Sequence, residues 1–506
     1  MAFLFIVGLT VGSHSSKMPP GPPTLPFIGN LHQMPLKNAH LKFTEWAKIY
    51  GGIYTLKLGP GNIVVLTDRR LIKNLIDKKS SIYSNRPPSY VGNGLITGGD
   101  HLLVMQYGNT WRAFRKLVHQ HFMESMVVNE YTKLVDAEAV QMCKDFMVLN
   151  GEGMHMKHPK RFSNSVVMSL LFGVRTPRVD TPHITKLYNM MEAWSKVMET
   201  GNTPPIDIIP ALNYIPESFL GDWKSRARDV SKVMNQLYAQ YLDIVIRRRE
   251  KNIHKDSFMD RVLDQNEKLE FNRHQLYFLG GVMMEGGSDT SSSIIIAFIH
   301  AMTRWPKVMR KAQTEMDEVV GEDGTPRWED YDNLPYVAAT VKEVMRWRPV
   351  VPLAFPHCLA EDDWGLHHDE KHFPNPEVFD PDHYLGVTKL APELAAAADY
   401  DARDHYGYGS GRRHCPGIHL AERNLFLGMA KLLWGFNITP RRDENGNVRR
   451  SEDVDVDPIS AYNEGFLVCT HPFNAEFTVR SEKRRQTIMK EYEAAERDMF
   501  SKYASG

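Results

Sequence analysis

Cysteine is scarce in this chain. Four cysteines in 506 residues, Cys143, Cys358, Cys415 and Cys469, are too few and too scattered for a disulfide framework. No CxxC or paired Cys/His spacing suggests zinc. Net charge is also lacking, because 61 Lys and Arg balance 61 Asp and Glu. That removes the electrostatic footprint expected of a nucleic-acid partner. There is no internal repeat and no flavin or nicotinamide fingerprint. The N-terminal apolar run, Ala2 to Gly12, covers only about half of a ~30 Å hydrocarbon core. It also lacks the basic start and small-residue cleavage site of a secretory signal. What remains is ordinary globular composition, 42% hydrophobic and 24% charged, enough for a sizeable core.

Behind the apolar start comes Lys17-Met18-Pro19-Pro20-Gly21-Pro22-Pro23, a stiff proline segment. This order suits a short membrane anchor over residues 1–17, a hinge over 18–30 and a single domain over 31–506. A disordered tail is the plainer alternative for the first segment. Residues 53–66 predict two strands around Gly59-Pro60-Gly61. Elsewhere helical periodicity dominates: 111–124, a long apolar helix over 274–304 interrupted at Gly286-Gly287, 307–320, 337–348 and 418–434. Residues 466–479 read as short strands and 481–502 as a charged helical tail. The fold class is mainly α with minor β.

The densest chemistry lies in Tyr408-Gly409-Ser410-Gly411-Arg412-Arg413-His414-Cys415-Pro416-Gly417. Two glycines permit a tight, partly left-handed loop. Cys415 precedes a helix, and Pro416 suits that helix's first turn. Free backbone N–H groups and the helix dipole at such a place lower a thiol's pKa. Gly417 removes a side chain where a flat cofactor would press on the helix, and Arg413 offers a cation to an acidic group. An isolated cysteine here would read as a half-buried loop residue; the surrounding pattern decides otherwise.

This segment matches FxxGxRxCxG except for Tyr408, and on it the chain resembles the cytochrome P-450 family, in its filamentous-fungal microsomal form. The resemblance runs from the proline segment to the last strands. It implies a helical prism with small sheets and a long central helix over haem b, with Cys415 as axial ligand of the iron. Asp289 and Thr290, beside the mid-helix glycines, would be the acid and hydroxyl that relay protons to bound dioxygen. Glu343 and Arg346, at i, i+3 on one helix face, would form a buried structural pair. Its third partner, usually arginine, is His383 here. Trp111, Arg115, His357 and Arg413 would meet the haem propionates, and Gly411 and Gly417 would also touch the cofactor. The implied activity is reductive activation of O2 and insertion of one oxygen atom into an apolar small molecule, by analogy a fungal secondary metabolite. Electrons would come from NADPH through a cytochrome P-450 reductase docking near Arg112, Lys116 and Arg412. A monomer on the cytosolic face of the endoplasmic reticulum membrane is expected.

Substrate would meet residues 91–105, the long helix before Asp289, residues 350–355 and residues 465–467. The methionine-rich stretch 190–198 reads as pocket or, more simply, as helix core. An isomerase or dehydratase built on the same fold is a rival, opposed by the retained Asp289-Thr290. A haem-binding remnant is another.

That second rival comes from a departure at Trp364-Gly365. The family continues there into a hairpin and a further strand, which this chain omits. Either the loss is real or the gene is mis-joined. Losing a ladder strand leaves backbone groups unpaired and an apolar edge bare. Made as written, the chain is therefore expected to fold poorly or to hold haem weakly. Sequencing the transcript across this junction and measuring haem retention check this. An intact frame without the insert, with stable haem, would contradict it.

Overall fold

The computed structural model describes residues 11–503, apart from 200, 358, 359, 362, 442–448 and 466. The principal helices in chain order are α1 (Ala39–Tyr50), α2 (Asn109–Phe122), α3 (Thr132–Val148), α4 (Met154–Phe172), α5 (Pro182–Met198), α6 (Trp223–Glu250) and α7 (Phe258–Leu269). They continue with α8 (Arg273–Arg304), α9 (Pro306–Val319), α10 (Pro335–Trp347), α11 (Asp363–His367), α12 (Ile418–Gly435) and α13 (Glu482–Asp498). A small sheet holds β1 (Ile53–Leu58), β2 (Gly61–Leu66) and β3 (Ala360–Glu361), and a second pairs β4 (Phe436–Pro440) with β5 (Ala475–Val479). The fold is mainly α with minor β, as expected.

The hairpin forms where the sequence placed it, with Ile53 opposite Leu66 and Leu58 opposite Gly61. The proline segment does not stand free. Thr55 N–H donates to Pro20 O at 2.9 Å, and buried Asn30 gives its amide to Pro22 O and Pro23 O while accepting from Lys57 N–H. Residues 20–30 are thus tied to β1. Residues 1–10, most of the expected anchor, lie outside the described residues. No helix among the described residues is long and apolar enough to cross a membrane.

Helix α8 is the axis of the molecule. It starts at a capping box, in which Asn272 accepts from Gln275 N–H and the Gln275 side chain accepts from Asn272 N–H. It ends before Pro306, because proline disfavours helical backbone in the residue it follows. Contrary to the sequence expectation, it is one continuous helix of 32 residues with no break at the glycines. Their jobs differ. A Cβ on Gly287 would lie 2.4 Å from Val167 of α4, so this glycine allows the two helices to close. A Cβ on Gly286 would meet nothing within 4 Å. Helices α4, α6, α10 and α12 surround α8, and α3 backs α4 and α12. The charged tail forms α13 and docks on α3, with Lys144 4.6 Å over the Tyr492 ring, Ile488 buried beside Gly435, and Arg484 paired to Asp317 and Glu322.

Just before Trp364-Gly365, β3 pairs with β2 over only Val65–Ala360 and Leu66–Glu361, in parallel. The chain then turns into α11, which rests on α1. Trp364 stacks on His368 with centroids 3.8 Å apart, leans on His40 and donates its N–H to Pro352 O. Close by, His368 Nε2, both nitrogens of His405 and the Tyr406 hydroxyl are buried with no hydrogen-bond partner among the described residues. Each such group costs roughly 1–3 kcal/mol.

The division of labour at the glycines is testable by thermal unfolding. Gly287→Ala should lower stability by roughly 1–3 kcal/mol through overpacking against Val167. Gly286→Ala should raise it by up to about 1 kcal/mol through helix propensity. Equal effects would contradict the assignment.

Candidate active site

The cysteine loop is built by its own backbone. Gly409 and Gly411 have φ of 76° and 62°, which favour glycine. Cys415 N–H donates to Tyr408 O at 2.7 Å, closing the loop. Outside, Asp77 accepts from Gly411 N–H at 2.9 Å and pairs with Arg403, which also donates to Ser410 Oγ. Helix α12 begins at Ile418 with Gly417 as its cap, so Pro416 lies just before the helix rather than in its first turn.

Cys415 forms part of the wall of a cavity with some 1870 Å³ free of protein atoms, mouth included. Gly286, Gly287 and Thr290 of α8 also line it, together with Gly417, Arg86, Arg115, His357 and Arg413. A Cβ on Gly417 would meet only Cys415 Sγ, at 3.9 Å, so the cavity is open above this residue. Arg115 donates to His414 O. Arg413 donates to the carbonyls of Ser84, Leu102 and Met105, and its guanidinium lies 4.5 Å over the Trp111 ring. His357 Nδ1 is 2.7 Å from Tyr83 O, and burial followed by Arg86 holds its imidazole down to about 4. Burial pushes the Cys415 thiol up, while Gly417 N–H and Arg115 pull it down. This corrects the sequence expectation: in the protein's own field, burial outweighs the helix terminus. A thiol-bearing wall, a flat glycine floor and guanidiniums gathered at one side suit a planar, iron-bearing dianion.

A cytochrome P-450 family profile matches residues 19–454. Over 97% of its length, the chain is 52% identical to cytochrome P-450 monooxygenase macC of Penicillium terrestre, covering 94% of that protein. It is 51% identical to cytochrome P-450 monooxygenase yanC of Aspergillus niger, over 96% of this chain and 94% of the relative. It is 48% identical to cytochrome P-450 monooxygenase patH of Penicillium expansum, over 98% of this chain and 96% of the relative. The chain belongs to the cytochrome P-450 family. It is an oxidoreductase of the monooxygenase class, and the family carries haem b and draws on NADPH through a redox partner, with O2 and an organic substrate.

Several expected residues of this cytochrome P-450 fall in different places from those foreseen. Trp111 does not line the cavity; it is the platform beneath Arg413. Gly411 does not line it either, because a Cβ there would lie 2.4 Å from Ile76 O, so its role is closure of the loop. Thr290 lies in the wall and donates its hydroxyl to Gly286 O at 2.6 Å. Asp289, outside the cavity lining, sits near Lys160 and Ser293; burial raises its carboxyl and Lys160 opposes this. Of the methionine-rich stretch, Met191 and Trp194 line the cavity while Met190 and Val197 are buried in the core. The sequence singled out none of Arg86, Lys160 and Tyr238, and reached His101 and Glu285 only as members of the 91–105 segment and the long helix before Asp289. None sits in a local motif; only the fold brings them to the site.

Glu343 and Arg346 are fully buried and doubly bonded, at 2.8 and 2.7 Å. Arg346 also donates to the carbonyls of His367, Pro376 and Val378, and Glu343 accepts from Asp380 N–H. His383 completes the cluster: Nδ1 lies 3.2 Å from both Glu343 oxygens, and Nε2 lies 2.8 Å from Pro374 O. Both nitrogens face acceptors, which the imidazolium satisfies and the neutral ring does not. The Glu343 hydrogen bond accordingly raises the His383 pKa above 6.5. A raised folded-state pKa gives stability that is full below the unfolded value and is lost as pH rises through the folded one. Thermal midpoints should therefore fall with pH above about 6.5 in the wild type. The fall should be shallower in His383→Arg; parallel curves would contradict this.

Proposed function

We propose that this protein inserts one atom of O2 into an apolar organic molecule at a haem held by Cys415. The observation that carries the reading is the convergence of Cys415, Gly417 and the Arg86, Arg115, Arg413 and His357 group on the cavity that Thr290 closes from α8. Cys415 would bind the iron, and Arg115, Arg413 and His357 would receive the propionates, with Trp111 holding Arg413 in place. Haem b supplies the redox centre at which O2 is cleaved, and a thiolate ligand favours that cleavage.

The remaining work belongs to the chain. Thr290 holds a hydroxyl at the cavity wall, and its bond to Gly286 O stores the proton within the helix until a better acceptor appears. Asp289, on the Lys160 side of α8, is an acid raised by burial and would relay protons towards Thr290 from behind the wall. The apolar cavity, with Val282, Met283, Val350, Phe355 and Leu467 in its lining, keeps water from the reacting carbon. Arg112, Lys116 and Arg412 are the docking face for the acidic surface of an NADPH-dependent cytochrome P-450 reductase; Arg112 and Arg412 flank the Tyr107 ring at 5.7 and 5.6 Å. By its likeness to fungal monooxygenases, we place the protein in secondary metabolism, as a monomer on the cytosolic face of the endoplasmic reticulum membrane.

Reconstitution with reductase, NADPH and 18O2 tests the reading, with 2-naphthol as probe. The expected product carries one labelled oxygen and forms only when both NADPH and O2 are supplied. Thr290→Ala should lower product per NADPH by on the order of 100-fold, as loss of a positioned proton donor does. Product formed without NADPH or O2, or product without the label, would overturn the reading.

A further inference from the structure

The wall of the cavity is apolar over most of its area, yet α8 puts a carboxylate into it. Glu285 immediately precedes Gly286, lines the cavity and is 5% exposed. A buried carboxylate in such a place is costly unless it is paired. No arginine or lysine pairs with it among the described residues. Tyr238 of α6 donates its hydroxyl to Oε1, and His101 Nε2 lies 3.1 Å from Oε2. Tyr238 reaches Glu285 because its ring lies directly on Gly281, where a Cβ would sit 2.2 Å from the ring. His101 is 1% exposed, also lines the cavity and is held edge-on by Trp194 with centroids 4.7 Å apart. Its Nδ1 is buried with no hydrogen-bond partner among the described residues. The proton relay and cofactor cradle described above do not use this cluster.

We propose that Glu285 and His101 form a polar anchor selecting a compact ring substrate that bears a free hydroxyl group. This rests on the monooxygenase reading and names the substrate class of that same cavity. His101 Nε2 and the Tyr238 hydroxyl hold the Glu285 carboxyl group in place at the cavity wall. A ligand hydroxyl suits it, because an O–H donates to an oxygen lone pair. The Glu285 oxygens have lone pairs left for a donated O–H. A ligand carboxylate is excluded by Glu285 itself. The flanking Met191, Trp194, Val282 and Met283 take the apolar remainder of the ring. A site built to hydrogen-bond a hydroxyl discriminates strongly against the analogue lacking it, because its polar groups are then left buried and unpaired.

Calorimetric titration of the haem-loaded protein with 2-naphthol, 2-methylnaphthalene and 2-naphthoic acid tests this, since the first two share size and shape. 2-Naphthol should bind at least tenfold tighter than 2-methylnaphthalene, as hydrogen bonds to a charged group require. The acid should bind more weakly than either. His101→Phe keeps the ring packing on Trp194 and should shrink the naphthol preference to about twofold or less. Tyr238→Phe, which cuts only the staple to α6, should keep most of the preference while lowering the thermal midpoint. Equal binding of the two neutral probes, or a preference untouched in both His101→Phe and Glu285→Leu, would overturn the proposal and leave the cluster as a structural tie. Haem content measured on the same preparations keeps this outcome separate from failure of the haem reading.

Discussion

The structure depends on one buried ion pair. Glu343 and Arg346 sit on adjacent turns of α10 with no exposure, and between them they fix the backbone at His367, Pro376, Val378 and Asp380. That stretch leads into the loop that carries Cys415. Removing one partner of such a pair costs about 3–5 kcal/mol, because the other charge is left buried alone. His383 makes the cluster conditional on protonation, where a guanidinium would not. The irregular chain between α10 and α12 has little regular secondary structure, so this cluster substitutes for a hydrogen-bond ladder.

The opposite wall is held by steric closeness rather than charge. Gly287 admits Val167, Gly281 admits the Tyr238 ring, and Gly280 faces Phe172. Each missing side chain lets another element approach α8, and the residues left over, Glu285, Gly286 and Thr290, face the cavity. One helix therefore carries both the packing contacts and the chemical groups. The glycines do not break it, because the surrounding helices compensate for their low helical propensity.

Sequence made the cysteine loop, the hairpin, the helix registers and the buried Glu–Arg pair legible, since each is a local pattern or a periodicity. Which side of an element faces the cavity was not legible: Trp111, Gly411 and Asp289 lie outside its lining. It read the thiol of Cys415 from its place near a helix start, whereas burial sets the direction of its shift. His101 and Glu285 lay within segments expected at the substrate, but their pairing with each other and with Tyr238 was not legible, because the three are up to 184 residues apart and meet only where the 90–105 segment, α6 and α8 come together. The packing of Trp364 on His368 and His40 was not legible, because it joins α11 to α1 across more than 300 residues of chain.

The proposed chemistry turns on Cys415 binding the haem iron. The most direct measurement is the absorption spectrum of the reduced, carbon-monoxide-bound protein, compared with that of Cys415→Ala. The account predicts the strongly red-shifted Soret band of thiolate ligation in the wild type and its loss in the variant. A retained red-shifted band in Cys415→Ala would contradict it.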